Sequence, residues 1–164
     1  VFNADNEVSK LYKNSKTIFN KLNKVLPKYI KKFPVNKDEI TSAILAERNN
    51  LKKIINIVHK EIRRKMKIFL NKNKNKKFVI LDIPLLLENK INKKNDILIF
   101  VHAKQKEIYK RLKKRKNFNK KLFIKFKNIQ LPLDYKKKKS HFIIKNDFKK
   151  ITIKKYVNDI LKEI

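Results

Sequence analysis

The chain contains no glycine. Average usage of about 7% would place roughly eleven in a chain of this length. Glycine lets a backbone take positive φ at a tight turn and lets it pass close to a bound group. Without it, turns must rest on Pro, Asn, Asp and Ser. A Gly-rich phosphate-cradling loop is excluded from these 164 residues. The first residue is Val rather than Met. The two features together lead to the expectation that a segment precedes Val1. Cysteine is also absent, which excludes disulfides, thiolate metal sites and cysteine nucleophiles. His59, His102 and His141 lie too far apart in sequence for an HxxxH type of zinc site.

Forty-six basic residues stand against 14 acidic ones, a formal net charge of +32. Clustered cations release counterions from phosphate backbones, so a nucleic-acid role is the first thought. Only five of the cations are arginines, however: Arg48, Arg63, Arg64, Arg111 and Arg115. Base-reading surfaces favour the planar, forked guanidinium. Lys, Asn and Ile make up just over half of the chain, and their codons can be written almost wholly in A and T. Most of the charge is therefore assigned to base composition. No apolar run approaches the roughly 20 residues of a membrane span.

Apolar spacing predicts a helix over 7–26, a small helix over 38–46 and a long amphipathic helix along 51–69, through Leu51, Ile54, Val58, Ile62 and Phe69. Pro27 and Pro34 punctuate the turn between the first two. The tract at 71–77 is low-complexity Asn and Lys, a solvated loop. The pattern then changes. Continuous apolar runs at 78–83, 97–101 and 142–145 predict strands covered on both faces, hence a parallel sheet. Helices are predicted over 104–115, 119–129 and 152–163, the last with Thr152 as N-cap. Strands alternating with helices make an α/β fold.

Several residues in this frame could carry chemistry. Asp82 ends the run 78–83, where ligands bind beyond the carboxyl ends of parallel strands. A carboxylate there either holds magnesium beside phosphates or caps the following turn. Asp5 ends the opening run and either orients a hydroxyl or caps a helix. Arg111 and Arg115 stand four apart, which places both on one face of the helix predicted over 104–115. They face either a phosphate site or solvent.

Taken in order, these segments form a series. VFNAD resembles the strand ending in Asp-Ala-Asp of the dephospho-CoA kinases, and FVILDIPLLLE resembles their apolar strand followed by Pro-Leu-Leu-aromatic-Glu. LKKIINIVHKEIR is similar to their Leu and His-Pro helix, and DILIFVHAKQKEIYKRLKKR to their strand, Gln and paired arginines. IQLPLDYKKKKSHFIIKN is similar to their Gln, Pro-Leu, Lys and Asp-Asn segment. The resemblance covers almost all of the chain. It departs at Asn3, where the family has Asp, at Lys60 in place of Pro, and at Phe126, where Arg is common. The family's P-loop lies ahead of the strand matched by residues 1–5. Without it the 164 residues by themselves are expected to be inactive and poorly folded.

The resemblance implies a P-loop kinase-like parallel sheet flanked by helices, one domain with a helical substrate-binding subdomain near 15–70 and a lid near 112–139. It implies transfer of phosphate from ATP, with Mg2+, to the ribose 3′-hydroxyl of dephospho-CoA, the last step of coenzyme A synthesis. Asp5 and Arg115 are then catalytic, Arg111, Arg115 and Asn146 meet ATP, and Asp82 meets the metal. Asp5, His59, Arg63 and Glu88 face dephospho-CoA. A cytoplasmic monomer with no membrane and no specific nucleic-acid partner is expected. The alternatives are another nucleoside or small-molecule P-loop kinase, and a basic RNA- or ribosome-binding protein.

Overall fold

The computed structural model describes residues 1–164 and divides into two compact units, Val1–Pro84 and Leu85–Ile164. The first unit opens with a two-residue strand, β1 (Phe2–Asn3), followed at once by helix α1 (Ala4–Asn14). Helices α2 (Lys16–Val25), α3 (Lys37–Ala46) and α4 (Arg48–Lys72) come next, and strand β2 (Leu81–Asp82) closes the unit.

The helix expected over 7–26 is broken in two. Ser15 takes an extended conformation, and its side chain accepts a hydrogen bond from the Ile18 amide. Its own amide meanwhile donates to Leu11 O. A serine offers the backbone this alternative because its hydroxyl can replace an intrahelical partner. Apolar periodicity runs through the break, since both helices turn the same side to the core: Leu11, Tyr12, Ile18 and Leu22 are all buried. They pack with Leu26, Ile30, Ala43, Ile44, Leu51, Ile54, Val58 and Ile62. Asn50 sits inside this core at 1% exposure and donates its side-chain amide to Ala43 O at 2.9 Å. β1 joins the bundle through Phe2, whose ring lies 5.5 Å from that of Phe69 on α4.

β1 and β2 are parallel, with Phe2 opposite Leu81 and Asn3 opposite Asp82. The apolar run at 78–83 contributes only these two residues to the ladder, and Phe78 and Ile80 are exposed.

The second unit holds strands β3 (Ile99–His102) and β4 (Phe142–Lys145) and helices α5 (Gln105–Lys113), α6 (Lys120–Ile129), α7 (Leu133–Lys139) and α8 (Lys150–Glu163). β3 and β4 pair in parallel from Ile99↔Phe142 to His102↔Lys145. The single sheet read from the apolar runs is thus two parallel pairs, flanked by helices. Nor are both faces covered: Ile99, Val101 and Ile143 are exposed, while Ile144 is buried. Tyr109, Phe118 and Phe123 form an aromatic cluster between α5 and α6, with ring centroids 5.7–6.3 Å apart.

Three local expectations change. α7 was not signalled by the sequence, because four successive lysines hide any apolar period; Pro132 at its N-cap starts it, where a missing amide costs nothing. Thr152 is not the cap of α8, which begins two residues earlier at Lys150. Its hydroxyl instead donates to Asp147 Oδ2 at 2.9 Å. α5 stops at Lys113, so Arg115 lies past its end.

Candidate functional site

In the first unit, the parallel register sets Asn3 and Asp82 side by side at the carboxyl ends of their strands. The Asn3 side-chain amide donates to Asp82 Oδ2 at 2.6 Å. Its oxygen accepts from the Asn6 amide at 2.8 Å, which caps α1. Asn3 therefore joins the strand end to the helix start and holds the Asp82 carboxylate in place. The cap role considered for Asp5 belongs to Asn3. Asp5 itself lies in the first turn of α1, not on the strand, and its carboxyl is exposed. An acidic group there is favoured by the positive end of the helix dipole.

Asp82 is exposed, and no group of three or more potential ligands forms around it. One oriented carboxylate fits magnesium, which keeps its waters and takes its other ligands from substrate phosphates.

His59 and Arg63 stand one turn apart on α4. Burial pushes the His59 imidazole below its ordinary value, and the Arg63 guanidinium pushes it the same way. Both influences favour the neutral imidazole, which has one ring nitrogen to donate and one to accept. Further along α4, Lys65 reaches Glu7 of α1 at 2.9 Å, so the two helices run together at this level. Hydrogen bonds from Lys10 and Lys65 hold Glu7 below the usual carboxylate range. A cavity of about 400 Å³ opens here, lined by Lys10, Asn14, Ser15, Thr17, Glu61 and Lys65.

In the second unit, Arg111 lies on the last turn of α5 with its guanidinium 3.9 Å from the Phe148 ring centroid. The turn after β4 supplies Phe148. Asn146 continues the ladder by donating its amide to His102 O at 2.7 Å, and its side-chain oxygen accepts from the Phe148 amide at 2.8 Å. Phe148 takes φ 65, a left-handed conformation uncommon for a bulky residue and typical of functional turns. Arg111 and Asn146 are thus brought together through Phe148, a residue the sequence did not single out. Its signal was present in the Asn-Asp pair before it, which favours such turns. Arg115 is exposed beyond the helix end and donates its amide to Leu112 O. It does not share a helix face with Arg111.

Glu88 is 10% exposed in its side chain and paired with Lys136 at 2.6 Å. The Leu131 amide donates to the same oxygen, Oε1, at 3.0 Å. Burial raises the Glu88 carboxyl, but the Lys136 and backbone hydrogen bonds outweigh it and leave the group below its ordinary value. Beside the pair lies a cavity of about 410 Å³ lined by Leu87, Glu88, Asn92, Leu131 and Tyr135.

No helix is long and apolar enough to cross a membrane. The chain shares its fold with the protein in the crystal structure of TT1252 from Thermus thermophilus, with a TM-score of 0.74, 18% identity, and coverage of 99% of this chain and 83% of that one. Among sequences, the dephospho-CoA kinase of Wolbachia pipientis wMel is 32% identical over 166 residues, covering 100% of this chain and 85% of the relative. That of Bartonella quintana is 32% identical over 146 residues, 88% and 74% of the two chains. The family model described as CoaE, dephospho-CoA kinase, matches residues 1–151. With that match and those relatives, this protein belongs to the dephospho-CoA kinase family.

Proposed function

We propose that this chain carries out the family's reaction on dephospho-CoA, with ATP as phosphoryl donor. The observation that carries the reading is the juncture of β1, α1 and β2. Asp82 is braced there by Asn3, and Asp5 stands just inside the helix that follows. One acid at the carboxyl end of a parallel strand and another in the first turn of the helix that follows its neighbour suit phosphoryl transfer, which needs an oriented hydroxyl and a neutralised phosphate.

Asp5 orients the ribose 3′-hydroxyl and accepts its proton as the oxygen attacks the γ-phosphorus of ATP. The bond from that phosphorus to the β,γ-bridging oxygen breaks, and ADP leaves. Asp82 would hold magnesium, which when bound neutralises phosphate charge. Arg115 and Arg111 offset negative charge on the transferring group and its donor. The guanidinium of Arg111, backed by Phe148, is a flat exposed surface suited to the adenine of ATP. Asn146 sits at the same turn and serves the same base. His59 and Arg63 on α4 meet the dephospho-CoA side, one as a neutral hydrogen-bonding group and one as a cation. Helices α2–α4 fill the segment assigned to substrate, and α6–α7 the segment assigned to a lid that excludes water from the transferring phosphoryl. The protein acts in this reading as a cytoplasmic monomer.

The test is a comparison of acceptors, made with the product of the complete reading frame that contains this sequence. kcat/KM for dephospho-CoA is expected to exceed that for AMP, CMP or UMP by about a thousandfold or more, since a site built to bind polar groups rejects ligands lacking them. Preference for a nucleoside monophosphate would replace this reading with that of another small-molecule kinase.

A further inference from the structure

Glu88 closes the Pro-Leu-Leu-Leu-Glu segment, and Lys136 follows the Gln-Leu-Pro-Leu segment. The two segments are 42 positions apart or more in sequence and meet at a single carboxylate oxygen, Glu88 Oε1, which takes both the Lys136 ammonium and the Leu131 amide. Both partners of the ion pair are largely buried, at 15% exposure for Lys136 and 10% for Glu88. A charge this enclosed is retained only while its partner stays in place.

The segment carrying Glu88 is itself knit together. Asn89 sends both its backbone and side-chain N–H groups to Leu85 O, at 3.1 and 2.8 Å, and the Ile91 amide donates to Leu86 O. The other side of the clamp is the corner between α6 and α7. Gln130 ends α6, Leu131 is gripped by its amide, and Lys136 sits within α7, where its carbonyl accepts from Ser140 Oγ at 2.8 Å. The start of α6 lies five residues beyond Arg115. Fixing the far end of α6 therefore constrains the segment that leads back to that arginine.

We propose that Glu88 is a positioning residue for phosphoryl transfer, holding the α6–α7 corner through Lys136 and the Leu131 amide, rather than a ligand for dephospho-CoA. This rests on the kinase reading and deepens it. The carboxylate is already engaged by its own chain, and a substrate group would have to displace a buried ammonium to reach it.

The experiment compares Glu88→Gln, Lys136→Met and the double variant in the product of the complete reading frame. Gln keeps an oxygen for the Leu131 amide and loses only the charge. Each single variant is expected to lower kcat about tenfold with KM for dephospho-CoA within about twofold, and the double variant to be no worse than the poorer single one, because both remove the same interaction. Hydrogen exchange at the Leu131 amide is expected to quicken about tenfold or more in Glu88→Ala. A raised KM for dephospho-CoA at unchanged kcat would make Glu88 a substrate ligand and overturn the proposal. A lowered Tm with kcat and KM both unchanged would reduce the clamp to a fold element and also overturn it. A wild-type protein inert toward dephospho-CoA, with the Leu131 exchange response intact, would sink the kinase reading and with it the transfer role, and leave only the clamp.

Discussion

Leu85, Lys90 and Phe148 adopt φ of 56, 50 and 65, and none is glycine. A left-handed residue with a Cβ costs roughly 1–2 kcal/mol relative to the right-handed form. A chain without glycine must bear that cost wherever its path needs such a turn. Lys90 is the clearest case, being exposed and held in the turn by the hydrogen bond its backbone N–H donates to Leu87 O. Lys90→Gly is expected to be more stable than Lys90→Ala by about 1 kcal/mol, the reverse of the usual order in helices, as read by urea unfolding. Equal or lower stability of the glycine variant would show that the turn is unstrained. Phe148 bears the same cost at the turn where Arg111 and Asn146 meet. Strain kept at such a place is consistent with a functional turn rather than an idle one. The absence of glycine was plain in the sequence; the residues that would take its conformations were not, since Leu, Lys and Phe carry no preference for them, and the Asn-Asp pair before Phe148 marks a turn without saying which residue takes the left-handed conformation.

At the scale of elements, length and type were largely legible and ends were not. α4 appears where the spacing of Leu51, Ile54, Val58 and Ile62 places it, because one buried stripe repeats over many turns. The break at Ser15 was hidden by the same kind of stripe continuing across it. Ser15→Ala should remove the cap on Ile18 and cost about 1 kcal/mol of stability, measured by thermal or urea unfolding. A variant as stable as the wild type would assign the break to packing alone. The strands were legible as apolar runs, but their pairing was not, for a run of Val, Ile and Leu shows neither how many residues enter the ladder nor which neighbour they find. The same limit applies to Arg111 and Arg115. Their spacing suits one helix face, yet α5 ends between them, and nothing in the run of lysines marks that end.

The first unit of the molecule is a well-packed helical body, and in the second far less is fully buried. Leu22, Ile30 and Ala43 show 0% exposure in the first, while Ile144 and Ile160 are the buried apolar residues of the second. The +32 charge bears on solubility and on non-specific attraction to polyanions more than on fold. The three acids of most interest were visible as residues but not as neighbours. Asp82 was legible as a strand end, and its brace by Asn3 was not, since the two are 79 positions apart. Glu88 was legible as the end of a motif, and its engagement by Lys136 became visible only in three dimensions. Asp5 was placed at a strand end and lies instead in the first turn of α1, which still leaves its carboxyl beside the juncture where the transfer is proposed to occur.

That placement is tested most directly by steady-state kinetics of Asp5→Asn in the product of the complete reading frame, with dephospho-CoA varied at saturating ATP. Loss of a general base is worth about 10²–10⁴-fold. We expect kcat to fall by about a hundredfold or more while KM stays within about threefold. An unchanged kcat would contradict the account, because no proton acceptor would then stand where β1 runs into α1.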